Sequence, residues 1–129
     1  MREQQYRTEQ IHRSAVYDLA FNQKRPDEAV SRYVGGTYIQ HNPDFADGPQ
    51  AFIDAIRGWV AACPSLRSEI KRIVAEGDLV VTHVFIKQHE KDLGIAAIDI
   101  FRFENGKIAE HWDVTRAVPE KSANGNTMF

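Results

Sequence analysis

The chain has 129 residues and a formal net charge of -2 without a basic run, so it fits one domain and argues against a nucleic-acid partner. Its single cysteine, Cys63, excludes an internal disulfide and fits a reducing, cytoplasmic location. We expect Cys63 to be a small buried residue at a helix end rather than a nucleophile. The polar N-terminus and the lack of an apolar run of ~20 residues predict neither a signal peptide nor a membrane span.

Three helices are predicted in the N-terminal half. The first covers residues 3–23, where apolar side chains recur at helical spacing. The second begins at Pro26 and ends at Gly35–Gly36, and residues 37–48 then begin extended and become a loop. The third runs from Pro49 to Ala62, with a buried stripe of Phe52, Ile56, Trp59, Val60 and Cys63.

Beyond Pro64 the apolar period changes to two, which is typical of strands. Four strands are predicted, over residues 66–75, 79–89, 95–103 and 107–117. Helices followed by a run of strands indicate an α+β fold, in which three N-terminal helices pack on a curved, mainly antiparallel sheet. The cleft between helices and sheet is the expected small-molecule pocket.

The most informative segment is the hairpin around Asn105-Gly106, a strong signal for a two-residue turn. Counting outward from this turn pairs Phe103 with Ile108, Phe101 with Glu110, Asp99 with Trp112, and Ala97 with Val114. Paired residues share a face, so Asp99, Glu110 and Trp112 are predicted on one face among aromatic and aliphatic side chains. His111 and Asp113 are predicted on the other face with Ile98, Ile100 and Ala109, as a dimer surface.

Carboxylates among apolar side chains are costly unless they are paired or protonated, and such groups can move protons near neutral pH. Asp99 is therefore a candidate acid/base group, and Glu110 would either orient another group or pair with Arg102 or Lys107 near the turn. The alternative is that both carboxylates lie near the rim of the sheet and are solvated.

The segments YIQHNP, AEGDLVVTHV and DIFRFENGKIAEHWDV together resemble the SnoaL-like polyketide cyclase family of the nuclear-transport-factor-two-like superfamily. The ending VPEKSANGNTMF is similar to a bacterial branch described as predicted aldol-condensation-catalysing enzymes. The resemblance implies a single domain over residues 1–129 with a cone-shaped α+β barrel and a deep pocket. It also implies a homodimer built on the outer face of the sheet. Founding members close a polyketide ring by intramolecular aldol condensation without a cofactor, using an Asp as acid/base.

The resemblance places the catalytic Asp at Asp99 and its accompanying histidine at His83, which would polarise a carbonyl or relay a proton. His41 would lie at the pocket mouth, and Trp112 would form a wall opposite Asp99. The full set of predicted substrate-binding residues is His41, Trp112, Phe101, Phe85, Tyr38, Trp59 and Glu110. A two-His-one-carboxylate metal site is not predicted, because the expected alternation turns His111 away from Asp99 and the sequence has no H-x-x-x-H or H-E-x-x-H spacing.

These observations predict a cofactor-free enzyme of the lyase or isomerase type that acts on a small hydrophobic or carbonyl-containing molecule. One alternative is a dehydratase, or a ketosteroid-isomerase-like enzyme in which Tyr33 or Tyr38 supplies a phenol. Another is a non-catalytic binding or dimerisation module. The tail, residues 117–129, ends in Met128-Phe129 and is expected to dock on the domain or on a partner subunit.

Overall fold

The computed structural model describes residues 2–12 and 16–129. The helices are α1 (Arg2–His12), α2 (Pro26–Tyr33) and α3 (Pro49–Ala62), with a π-helical turn at Asp18–Asn22. The strands are β1 (Val34–Gln40), β2 (Arg67–Glu76), β3 (Leu79–Lys87), β4 (Ile95–Glu104) and β5 (Lys107–Ala117). The predicted first helix is confirmed at its two ends, while residues 13–15, including Ala15 of its apolar stripe, lie outside the described residues.

The five strands form one curved sheet in the order β1-β5-β4-β3-β2, with helices packed against it. Three neighbouring pairs are antiparallel and only β1–β5 is parallel, so the predicted α+β class and mainly antiparallel sheet are confirmed. The sheet is not closed, which corrects the expected barrel. The glycines expected to end α2, Gly35 and Gly36, lie within β1 instead.

The turn of the β4–β5 hairpin is confirmed, because Asn105 and Gly106 have φ values of 53° and 79°, as such a turn requires. Phe103 pairs with Ile108 as expected, but Ala109 has no partner, and Arg102 pairs with Glu110. This β-bulge moves every later pair by one residue.

The three pairs predicted beyond Phe103–Ile108 are therefore wrong, and five side chains of β5 change face: Glu110, His111, Trp112, Asp113 and Val114. Asp99 pairs with Asp113 and Phe101 with His111, whereas Trp112 pairs with Ile100. His111 and Asp113 consequently share the inner face with Asp99, and Glu110 and Trp112 lie on the outer face.

The inner face of the sheet forms the core with the helices. Its most deeply buried side chains are Leu66, Val80, Thr82, Val84 and Ile108. The outer face exposes apolar side chains, including Ile98 at 42% and Val114 at 76%. Cys63 is buried at the C-terminal end of α3. None of the helices that the structure describes is long and apolar enough to cross a membrane.

Candidate active site

Asp99 and His111 form a buried hydrogen-bonded pair on the inner face of the sheet. Nε2 of His111 lies 2.7 Å from Oδ1 of Asp99, and the two residues are only 8% and 6% exposed. The bulge at Ala109 creates this contact, because it turns His111 to the face from which Asp99 projects. A buried carboxyl group thus has an ionisable partner, as its burial requires.

Gln40 binds the other nitrogen of the same imidazole ring. The parallel pairing of β1 with β5 places Gln40 directly beside His111. Oε1 of Gln40 lies 2.8 Å from Nδ1 of His111. An amide oxygen can only accept a hydrogen bond, so Nδ1 must carry a proton and donate it.

These contacts determine the number of protons on the Asp99–His111 pair. One proton sits on Nδ1, and the short contact between Nε2 and Oδ1 requires a second proton between those two atoms. The pair is then neutral as a whole, whichever partner holds the shared proton. We call this state the loaded pair; removal of the Nδ1 proton gives the unloaded pair, with a net charge of -1.

Two buried tyrosines surround the pair. The Tyr17 hydroxyl lies 3.0 Å from Oγ1 of Thr82, the cross-strand neighbour of Asp99. Burial raises the pKa of Tyr17 well above its usual value, and the charge of Asp99 raises it further. The Tyr38 ring stacks on the His111 ring at 6.3 Å. Burial is the larger cause, and the charge of Asp99 the next, of the raised pKa of Tyr38. Both phenols therefore stay protonated at neutral pH and act as neutral groups.

A second carboxylate belongs to Asp113 of β5, which is paired with Asp99 of β4. Nδ2 of Asn42 lies 2.9 and 3.1 Å from its two oxygens. Burial raises the pKa of Asp113, although His111 acts in the opposite direction. Ligand atoms of Asp99, His111 and Asp113 all lie within 4.8 Å of one another, so these residues could hold a cation. The prediction that His111 points away from Asp99, which argued against a metal site, is wrong.

An apolar cavity opens beside the pair, between β1, β5 and α3. Its volume is about 160 Å³, close to the ~150 Å³ of an apolar cavity that holds benzene. The lining consists of Tyr38, Gln40, Phe45, Phe52, Ala55, Ile56, Trp59 and His111. Gln40 and His111 are the polar groups of this wall, and Asp99 lies behind His111 rather than in the lining. The cavity can therefore hold a small apolar molecule against the imidazole ring.

Three of the predicted site residues lie around this cavity. Tyr38 and Trp59 line it, and the Phe101 ring lies 5.0 Å from the His111 ring on the inner face. Sequence reasoning missed Tyr17, Gln40 and the inward position of His111. The adjacent apolar residues Ile108 and Ala109 were the available signal, because two successive buried positions in a strand indicate a bulge.

The expected pair of His83 with Asp99 is not formed. His83 is paired with Ile98 and projects from the outer face, while its neighbour Thr82 takes the inner position. The His83 ring stacks on Phe129 at 5.8 Å and its Nδ1 contacts the Arg72 guanidinium. Phe85 lies on the same face, with its ring 4.8 Å from Phe129. Both side chains are separated from the cavity by the sheet.

His41, Glu110 and Trp112 meet one another outside the cavity lining. The His41 ring stacks on Trp112 at 4.7 Å, and its Nε2 lies 2.6 Å from Oε2 of Glu110. Nε of Arg102 donates to Oε1 of Glu110 at 2.8 Å. The hydrogen bond from His41, followed by that from Arg102, lowers the pKa of Glu110. Trp112 therefore does not form the predicted cavity wall opposite Asp99. It packs with His41 and Glu110 on the outer face of the sheet.

Comparison with known proteins gives one family and many similar folds. The family model described as SnoaL-like polyketide cyclase matches residues 12–119. TsrD from Streptomyces laurentii is 25% identical over 88% of each chain, with a TM-score of 0.69. A SnoaL-like polyketide cyclase from Agrobacterium tumefaciens is 20% identical over 78% of this chain and 85% of its own, with a TM-score of 0.65.

A SnoaL-like protein of unknown function from Burkholderia thailandensis shares the fold as well. It is 18% identical over 89% of this chain and 94% of its own, with a TM-score of 0.63. No curated protein matches the chain in a sequence comparison.

Proposed function

Because this chain belongs to the SnoaL-like polyketide cyclase family, we propose that it is a cofactor-free enzyme that moves a proton to and from a carbon next to a carbonyl group. Ring closure of the aldol type, or an isomerisation, is the net reaction. The observation that carries this proposal is the buried Asp99–His111 hydrogen bond at the wall of an apolar cavity. His111 is the acid/base group that meets the substrate, and Asp99 acts through it.

The proposed reaction cycles the pair between its two states. The Nδ1 proton of the loaded pair first passes to water, and the unloaded pair then takes a proton from the carbon at Nδ1 of His111. The Asp99 carboxyl group stabilises the imidazole that has gained it. The resulting enolate carbon attacks a second carbonyl of the same molecule, which forms a carbon–carbon bond. The loaded pair then returns the Nδ1 proton to the new alkoxide oxygen. One C–H bond and the π bond of the attacked carbonyl break, while one C–C bond and one O–H bond form, so no other reactant is needed.

The lining of the cavity supports a substrate of limited size and little charge. Aromatic and aliphatic walls favour an apolar molecule, and a cavity of about 160 Å³ encloses roughly one six-membered ring. A carbonyl oxygen is the group that can take the place of Oε1 of Gln40 at the Nδ1 proton.

A non-catalytic binding module is the second candidate, and one observation favours it. Both nitrogens of His111 already have partners within the protein, Gln40 and Asp99. A binder would keep these contacts when it takes up its ligand, whereas an enzyme must exchange the Gln40 contact for one to the substrate. A dehydratase or an isomerase would use the same pair with a different substrate.

Hydrogen–deuterium exchange at carbon tests the proposal without knowledge of the natural substrate. Single-ring ketones and diketones are incubated with the protein in D2O, and exchange next to the carbonyl is followed by NMR. We expect exchange above the rate without protein, reduced by ~10²–10⁴-fold in His111→Gln and Asp99→Asn, which is the usual contribution of general acid–base catalysis.

The matched control is His89→Gln, because His89 is exposed, lies outside the cavity lining and has its Nε2 3.9 Å from Sγ of Cys63. This variant should exchange at the wild-type rate. Binding of a ketone without any exchange above background would instead favour the binding module. Exchange that persists in His111→Gln would show that another group carries the proton.

The proposal includes a homodimer built on the outer face of the sheet. The support is the row of exposed apolar side chains there, with Ile98, Val114 and Val74 prominent. His111, which was expected in this interface, is buried on the inner side instead, and Ala109 is buried as well. Sedimentation of the wild type and of Ile98→Lys tests this: the wild type should sediment as a dimer and the variant as a species near 14.7 kDa.

A further inference from the structure

We propose that Gln40 is a positioning residue that holds a proton on Nδ1 of His111, and that Asn42 and Asp113 lock the orientation of the Gln40 amide. The inference rests on the proposed function, because it assigns a task to Gln40 in the proton cycle of His111. It concerns a hydrogen-bonded chain that begins and ends on β5, passing from His111 through Gln40 and Asn42 to Asp113.

A glutamine amide can present either its oxygen or its NH2 group to a neighbour, with opposite results for His111. The oxygen requires a proton on Nδ1, whereas the NH2 group would donate to a bare Nδ1. The backbone N–H of Asn42 decides between them, because it lies 3.0 Å from Oε1 of Gln40. A reversed amide would set its NH2 group against that N–H, and two donors repel each other.

Asn42 is itself held in one orientation. Its Nδ2 donates to both oxygens of Asp113, at 2.9 and 3.1 Å, and its Oδ1 accepts from the backbone N–H of Asp44 at 2.9 Å. The preceding backbone N–H, from His41, donates to the carbonyl oxygen of His111 at 3.0 Å. Each polar atom of the Asn42 amide thus has a partner that only the observed orientation satisfies.

The fixed orientation of the Gln40 amide has a chemical consequence for the Asp99–His111 pair. In the unloaded pair, the lone pair of Nδ1 would face the lone pairs of Oε1 of Gln40, which destabilises that state. Gln40 therefore favours uptake of a proton at Nδ1, and a hydrogen bond to the protonated form is a recognised cause of such a preference. The groups that face the ring are Asp99 from β4, Asp113 on β5, Tyr38 from β1 and, near Asp99, Tyr17.

The test measures the proton on Nδ1 directly. Two-bond ¹H–¹⁵N correlation NMR of the ¹⁵N-labelled chain distinguishes Nδ1–H from bare Nδ1 in each of the five histidines, and His111→Gln assigns the signal. The spectra are recorded over a pH series for the wild type and for Gln40→Met, which keeps the length of the side chain but removes the acceptor. Gln40→Glu keeps the acceptor, and Gln50→Met is the matched control on the exposed surface of α3.

We expect Nδ1 of His111 to carry a proton in the wild type at neutral pH. In Gln40→Met, the ratio of protonated to bare Nδ1 at neutral pH should fall by about tenfold, because the acceptor that favours the proton is gone. Gln40→Glu should not show this fall, and Gln50→Met should match the wild type. If Gln40→Met does not fold, Gln40→Asn, whose amide is one methylene too short to reach Nδ1, should show the same fall.

A bare Nδ1 in the wild type, or the same ratio of protonated to bare Nδ1 in all Gln40 variants, would overturn the proposal. The measurement uses no substrate, so its result is independent of catalysis. A confirmed proton on Nδ1 without any exchange activity would leave the positioning role in place and reject only the proposed function.

Discussion

His111 reaches Asp99 only because β5 contains one residue more than its partner needs. With a regular hairpin, the two side chains would project from opposite faces of the sheet. The unpaired Ala109 reverses the facing of every later residue in β5, and the Nε2–Oδ1 distance of 2.7 Å is the outcome. The contact between Asp99 and His111 thus depends on the register of β5.

The hydrogen-bonding pattern of the pair makes Asp99→Asn a mild change for stability. In the variant, Nδ1 of His111 keeps its proton toward Gln40, so Nε2 is bare and can accept from the new amide NH2 group. Asp99→Ala instead leaves a buried Nε2 without a partner, which costs about 1–3 kcal/mol in unfolding free energy. Urea unfolding of both variants at neutral pH checks this order; an Asn variant as unstable as the Ala variant would contradict it.

Asp113 should make the protein less stable as the pH rises through the acidic range. Burial raises its pKa in the folded state above the 3.8 of an unperturbed Asp, so the folded chain binds more protons than the unfolded chain between these two values. Unfolding free energy must then fall with rising pH across that window. Urea unfolding at a series of pH values, for wild type and Asp113→Asn, isolates this contribution, because the variant lacks the titrating group. Identical slopes in the two proteins would rule it out.

Two of the four tyrosines should resist ionisation while the protein is folded. The pKa values of Tyr17 and Tyr38 are raised above 10, so these phenols stay protonated when the unfolded chain would ionise. The folded state then holds more protons above pH 10, and stability should fall as the pH rises further. Absorbance titration near 295 nm should show a deficit in the folded protein that returns in denaturant. Tyr17→Phe should remove about half of this deficit, and a full phenolate signal from the folded wild type at pH 11 would refute the expectation.

Gly94 should not tolerate a side chain. Its φ is +100°, and a Cβ there would lie 2.2 Å from Cε2 of Phe85. We expect Gly94→Ala to lower the unfolding free energy by about 2–4 kcal/mol, since overpacking and an unfavourable φ add together. The control is Gly58→Ala in α3, where a Cβ meets no atom within 4 Å and the helix should gain up to about 1 kcal/mol. Thermal melting of both variants gives the comparison; equal melting temperatures would show that Phe85 moves aside freely.

The sequence was sufficient for α2, α3 and β2 to β5, but not for β1 or for the hydrogen-bond partner of Asp99. The alternation of apolar residues and the Asn105-Gly106 turn predicted β2 to β5 within two residues at each end, because both are local signals. A bulge leaves a weak local trace, here only the adjacent apolar residues Ile108 and Ala109. Counting from the turn therefore placed Trp112 opposite Asp99, where Asp113 lies, and Glu110 opposite Phe101, where His111 lies.

Gln40 and Tyr17 were missed for a different reason. Their roles come from contacts between distant parts of the chain, the parallel β1–β5 pairing and the packing of the segment before α2 on β3. No periodicity within either segment encodes which strand it will meet. The segment QHNP does contain a residue of the site, but this residue is not the predicted histidine. His41 contacts Glu110, whereas Gln40 binds His111.

The sequence separations within the site imply an order of assembly during folding. Asp99 and His111 are 12 residues apart, whereas Gln40 and His111 are 71 residues apart. For a flexible chain, the longer closure costs about 1.6 kcal/mol more in entropy, so the β4–β5 hairpin should form before β1 joins it. A folding intermediate would then possess the carboxyl–imidazole pair in a sheet still open at the β5 edge. The arrival of β1 would cover that edge and deliver the glutamine at the same moment, so the protein would acquire control over the imidazole proton only after the carboxyl–imidazole pair has formed.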